Sequence, residues 1–242
     1  MKKRKMPYLL LALAVLMLLG SAVGSTRAAL TYYSQNYVAE ITVSQIGVSL
    51  LENGAVVSSR DYNKNEWKTT SNRGGGSASG ALLLNMMGEG EKLALNKKYE
   101  EKLTVKNSGM IDEYVRVRIY RYWMKDGQKV TTLSPDLIDL NFINTDKWVK
   151  NPEQTTECTE LFYKGILKSG RETKPFADTI RIDGKLASEA RIETNGNVIT
   201  TTYKYDGVEF HVDVEVDAVQ THNAQDAIKS AWGVDAAGLG IL

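Results

Sequence analysis

The chain has 242 residues, with 30 Lys and Arg against 29 Asp and Glu and a formal net charge of +1. Its only cationic cluster is at the extreme N-terminus, so the body of the chain lacks the basic patch that a nucleic-acid surface needs. A single cysteine, Cys158, excludes an internal disulfide framework.

Met1-Lys2-Lys3-Arg4-Lys5 begins the chain, and an apolar run from Leu9 to Leu19 follows. At about 1.5 Å per helical residue that run is short for a hydrocarbon core of roughly 30 Å. Small residues from Gly20 to Thr26 then lead to Arg27-Ala28-Ala29. A basic head, an apolar middle and a small-residue exit predict a cleavable secretory signal peptide over residues 1–29. An uncleaved membrane anchor is the competing reading, disfavoured because small residues end the run where a stop-transfer segment would continue. Cleavage after Ala29 makes Leu30 the mature N-terminus, and cleavage after Ala28 is nearly equivalent. The released segment carries five cations and no acids, which leaves 25 cations against 29 acids, a net of −4. The expected product is secreted, extracellular or at the cell surface, with no stable membrane anchor. Residues 30–242 are expected to form one domain, a length suited to a single β-sandwich.

The mature chain starts Leu30-Thr31-Tyr32-Tyr33-Ser34-Gln35-Asn36-Tyr37-Val38, an aromatic, strand-prone end without Pro or Gly. Such an end can pair with its own sheet or add a strand to a neighbouring copy, so Tyr32, Tyr33, Tyr37 and Val38 are a candidate donor strand. Period-two alternation marks strands, most clearly at Val208–Ala218 and Tyr114–Tyr120. On the first, Val208, Phe210, Val212, Val214, Val216 and Ala218 share one face, and Glu209, His211, Asp213, Glu215 and Asp217 the other. Val115, Val117 and Ile119 form the core side of the second. Other predicted strands are Ala39–Leu50, Lys102–Asn107, Glu160–Leu167, Phe176–Ile182, Ala187–Glu193 and Val198–Tyr205. Turn signals at Asn107-Ser108-Gly109, Asp126-Gly127, Asp183-Gly184, Asn195-Gly196 and Asp206-Gly207 separate these segments. The pattern predicts an all-β, antiparallel, jelly-roll-like sandwich. Ser71–Gly80 is a Gly/Ser-rich stretch, read as a flexible loop inside the domain. One helix is expected near the end, where Ala224, Ala227, Ile228, Ala231 and Trp232 share a face. Asn223 is placed as its N-cap, Asp226 in its first turn, Gly233 at its end and Trp232 as a core anchor.

No catalytic centre is visible. Two histidines, His211 and His222, form no zinc-protease motif, and no nucleophile elbow, Walker loop or dinucleotide fingerprint occurs. Cys158 has no base that the sequence places beside it, so an inert thiol is the expectation. Asp61-Tyr62-Asn63-Lys64-Asn65 begins like a calcium loop but lacks the glycine at position 66 and the acid at Asn72. The acidic row Asp213, Glu215, Asp217 is expected to be a solvent face paired across strands with Arg116 and Arg118, with a cation site as the alternative. Catalytic, cofactor and metal residues are therefore predicted as none.

The stretch Leu18-Leu19-Gly20-Ser21-Ala22-Val23-Gly24-Ser25-Thr26-Arg27-Ala28-Ala29-Leu30 resembles the export signal of the TasA/camelysin family. Arg27 stands where the family often has an aromatic residue, and Leu30 where an aromatic often starts the mature chain. Lys106-Asn107-Ser108-Gly109 followed by Tyr114-Val115-Arg116-Val117 is similar to that family's strand–turn–strand. The ending from Asp217 to Gly233 resembles the close of related exported proteins of Gram-positive bacteria. The resemblance implies cleavage by a dedicated signal peptidase and a jelly-roll domain serving as a structural biofilm-matrix subunit. It further implies self-association, or association with related matrix proteins, through strand donation into fibres. It also carries a metallo-endopeptidase label, which ranks second because no zinc motif is present; a monomeric adhesin or binding module is the third reading. No sortase-type signal is seen.

Overall fold

The alternating segments do form strands, and their inward faces meet in one core. A computed structural model of the protein describes residues 45–62, 66–69, 82–83, 86, 93–188, 190–195, 198–203 and 205–242. The signal segment with Ala28, Ala29 and Leu30 lies outside the described residues, as do the donor-strand residues Tyr32, Tyr33, Tyr37 and Val38 and the Ser71–Gly80 loop. The described strands are β1 (Gly47–Glu52), β2 (Ala55–Asp61), β3 (Glu66–Thr69), β4 (Tyr99–Asn107), β5 (Glu113–Lys125), β6 (Gln128–Val130) and β7 (Ile138–Phe142). They continue with β8 (Trp148–Lys150), β9 (Cys158–Tyr163), β10 (Ala177–Ile182), β11 (Ala190–Asn195), β12 (Val198–Tyr203) and β13 (Glu209–Gln220), and one helix follows, α1 (Ala224–Trp232).

Two antiparallel sheets make the sandwich. Sheet I has the order β3-β2-β1-β4-β10-β7, and sheet II the order β13-β5-β9-β8 with β6 paired to the far end of β5. β11 and β12 form a separate two-stranded ribbon. Val48 and Leu50 of β1, Leu103 and Val105 of β4, and Ile180 and Ile182 of β10 share a single cluster with Val115, Val117 and Ile119 of β5 and Val214 and Val216 of β13. Each such side chain contributes about 1.5–3 kcal/mol on leaving water, which makes this shared face the main source of stability.

Turn chemistry accounts for the connections. Asp126 and Gly127 have φ of 50° and 75°, the left-handed pair that a two-residue hairpin needs to match strand twist. Asn53 and Gly54 do the same between β1 and β2, at φ 49° and 84°. Several predicted boundaries shift. β1 begins at Gly47 and runs to Glu52, and residues 39–44 of the predicted strand lie outside the described residues. β9 stops at Tyr163 because the chain turns through Gly165 at φ 84°. The Ala187–Glu193 segment divides into a 3₁₀ turn ending at Ser188 and a strand starting at Ala190. β12 ends at Tyr203, and Tyr205 belongs to the turn before β13.

The helix forms where predicted, and Gly233 closes it at φ 75° with its N–H donating to Lys229. Its start differs. Asn223 sits at the N-cap position with a left-handed backbone and makes no side-chain cap bond. The αL conformation replaces the extended backbone from which an N-cap side chain ordinarily reaches the first-turn amides. The apolar side of α1 covers the outer face of sheet II, where Ile228 and Trp232 pack with Tyr114, Phe162, Ala236 and Ile241. Trp232 lies 5.6 Å from the Phe162 ring, so it is an anchor as expected. Among the described residues, no helix is long and apolar enough to cross a membrane.

Candidate functional site

β13 sorts its two sets of residues onto opposite faces of sheet II. Val212, Val214, Val216 and Ala218 are buried in the core, which leaves His211, Asp213, Glu215 and Asp217 on the outer side. β5 runs beside it in unbroken register, setting Asp217 against Arg116, Glu215 against Arg118 and Asp213 against Tyr120. The cross-strand pairing expected of the acidic row is present. Arg118 Nη2 lies 2.8 Å from Glu215 Oε2 and 3.3 Å from Asp217 Oδ2. Arg116 donates from Nη2 to Asp217 Oδ2 at 2.6 Å and from Nη1 to Glu160 Oε1 at 3.0 Å.

The expectation of an open solvent face fails at Asp217, which is only 7% exposed. Arg60 of β2 reaches across from sheet I to its Oδ1. Trp232 of α1 lies over the Arg116 guanidinium at 5.5 Å. Tertiary covering, which strand periodicity does not register, therefore converts one end of a charged face into a buried network. Three guanidiniums within bonding reach of Asp217 repel a metal ion, which argues against the cation reading of the row.

Farther along the same face the residues are less covered. Tyr122 donates from its hydroxyl to Asp213 Oδ2 at 2.7 Å and stacks on His211 at 5.2 Å between centroids. Burial and that hydrogen bond push the Tyr122 phenol up to about 12. Cys158 faces Tyr120 across β9 and β5. Burial raises its thiol above the ordinary value, and a hydrogen bond with Tyr120 offsets this in part. The Cys158 thiol is expected to react with a disulfide reagent at pH 8 several-fold more slowly than free cysteine, because less of it is thiolate. A rate equal to that of free cysteine, followed by absorbance, would contradict the inert-thiol assignment.

The side of β13 turned away from β5 is the other notable feature. The Ala218 N–H donates to Tyr62 Oη at 2.7 Å, so it points away from β5. Backbone alternation then places the N–H groups of Val212, Val214 and Val216 on that same edge. Among the described strands, β13 pairs with β5 alone and ends sheet II on this side. Tyr62 thus belongs to a strand edge and not to a calcium loop; Asn63, Lys64 and Asn65 of that segment lie outside the described residues. Among the described residues, no three of His, Cys, Asp and Glu converge to hold a metal ion. The sequence could not reveal the Arg60 and Tyr62 contacts with β13, because they join residues more than 150 positions apart.

Comparison with family models, with curated proteins and with solved structures gives no match to this chain.

Proposed function

We propose that the chain is an exported structural protein of the cell surface or biofilm matrix, a jelly-roll-like subunit that self-associates by strand donation. In this reading Leu30–Val38, freed by signal peptidase, adds to the outer edge of β13 in the next copy or in a related matrix protein. The supporting observation is β13 itself: a strand of 12 residues at the end of its sheet, with an alternating row of backbone groups aimed away from β5. A strand edge of this length is a template for pairing unless something covers it. Strand addition fits such an edge because main-chain hydrogen bonds supply affinity whatever the incoming side chains.

The test is deletion of Leu30–Val38 from the mature protein, with imaging of both forms and far-UV circular dichroism to establish that each is folded. Fibres or oligomers from the intact mature chain and folded monomers from the shortened one are expected. Equal assembly by the two forms would remove strand donation.

A further inference from the structure

The odd-numbered residues of β5 face the core, where Val115, Val117, Ile119 and Trp123 are buried. Arg121 occupies the same phase, opposite the buried Val212. An arginine on the inner face of a sandwich has no packing rationale, since an apolar side chain would fill the place without desolvating a charge. Only 11% of the Arg121 side chain is exposed, and burial disfavours its charged form despite Asp136 and Asp139 nearby. Its donors are incompletely used. Nη1 bonds the Ile138 carbonyl at 2.9 Å, Nε is buried with no acceptor, and Nη2 has Asp136 at 3.8 Å, beyond hydrogen-bonding distance.

This arginine lies where the sandwich opens. β7 and β8 are the terminal strands of the two sheets, and between them is a cleft of about 450 Å³. That volume lies within the range of small-molecule sites. The loop after β8 contributes Gln154, Thr155 and Thr156, and Thr159 enters from the inner face of β9. Lys150 stands over the Phe142 ring, with Nζ 4.4 Å from its centroid. Of the two acids in the wall, Asp139 is paired with Arg181 at 2.6 Å, which leaves Asp136 against Arg121 and Lys150. The cleft therefore has an excess of one positive charge and a lining of hydroxyl and amide groups.

We propose that this cleft binds a carboxylated sugar, with the carboxylate taken by Arg121 and Lys150 and the ring hydroxyls by Gln154, Thr155 and Thr156. A single negative charge matches the charge excess, and the arginine fork suits a carboxylate. The neutral lining suits a ligand rich in hydroxyls, which both donate and accept. This assignment stands apart from strand donation, since the cleft opens between β7 and β8 and the donor edge is the side of β13 turned away from β5.

The experiment is an amide-resolved titration of the mature protein with glucuronate, a uronate oligomer, glucose and inorganic phosphate in parallel. Glucuronate or the oligomer is expected to shift the amides of Gln154, Thr156 and Thr159, with glucose and phosphate at least tenfold weaker. Tighter binding of the oligomer would identify a polymer residue as the source of the chemistry, and equal binding the free sugar acid. Arg121→Met is expected to weaken binding at least tenfold while leaving the melting temperature unchanged or higher. Lys150→Ala, at the mouth of the cleft, supplies a second variant and is expected to weaken binding at least threefold. Absence of binding by both uronates, equal binding of glucose or phosphate, or unaltered uronate binding in both variants would overturn the proposal.

Discussion

Glu113→Gln is expected to make the protein more stable at pH 8 and to leave it nearly unchanged at pH 5. Glu113 begins β5, on the core-facing side, and is fully buried. Its backbone is held on both sides by Leu167, at 3.1 and 2.8 Å. Neither carboxyl oxygen has a well-formed hydrogen bond, and the nearby Gly47 amide offsets the cost of burial only in part. Burial pushes this carboxyl up from 4.5 to about 9. Between those two values the folded protein retains a proton that the unfolded chain releases, so rising pH favours unfolding. The slope is about 1.4 kcal/mol per pH unit, or about 4 kcal/mol between pH 5 and 8. Glutamine keeps the shape without the titration and is expected to raise the melting temperature at pH 8 by about 10 °C. Thermal melts across this range provide the check. An equal difference at both pH values, or no gain at pH 8, would show that Glu113 is not held neutral by burial.

A second carboxyl acts in the same direction near the start of β4. Glu101 is 1% exposed, and burial together with the like charge of Glu52 raises it well above the carboxylate range. Glu52 in turn accepts the Leu83 N–H at 2.6 Å. The wild-type protein is therefore expected to be most stable in mildly acidic solution.

The second large effect is expected at Asp217. Removing its charge with Asp217→Asn leaves Arg116 with Glu160 alone, 3.0 Å from Nη1, and takes from the partly buried Arg60 the carboxylate it reaches across the sandwich. Breaking a buried pair costs about 3–5 kcal/mol, and with Glu160 still beside Arg116 the loss is expected at the lower end, ~3 kcal/mol. Glu215 is the control, two residues along the same face. It pairs with Arg118 at 2.8 Å, but about a third of each side chain is exposed. Glu215→Ala is expected to cost below about 1 kcal/mol. Urea unfolding of the two variants makes the comparison, and equal losses would show that Asp217 is not the centre of a buried network.

The parts of the fold legible in the sequence are those where local pattern and tertiary environment agree. β13 and β5 alternate cleanly because one side of each faces the sandwich core, and Asp126-Gly127 has the residue pair its turn demands. β7 carried the same signal at Ile138, Leu140 and Phe142, but with only three apolar positions it was too short to stand out. β2 is largely polar, with Ser58, Ser59, Arg60 and Asp61, and it forms because β1 holds it in register. The buried charges follow a subtler rule. Glu101 lies in phase with Tyr99, Leu103 and Val105, and Arg121 in phase with Ile119 and Trp123. A charge in step with core positions is therefore the available sign of an inward-facing polar group. Asp217 offers no such sign, since it lies on the polar side of its strand and is covered by Arg60 and Arg116, both from distant parts of the chain.

Amide hydrogen exchange of the mature protein, before and after assembly, tests strand addition at β13 most directly. In the monomer the N–H groups of Val212, Val214 and Val216 are expected to exchange faster than those of Asp213 and Glu215, which point toward β5. On assembly these three amides are expected to become protected as Leu30–Val38 of another copy pairs with them. Assemblies in which they exchange as fast as in the monomer would contradict strand addition at this edge.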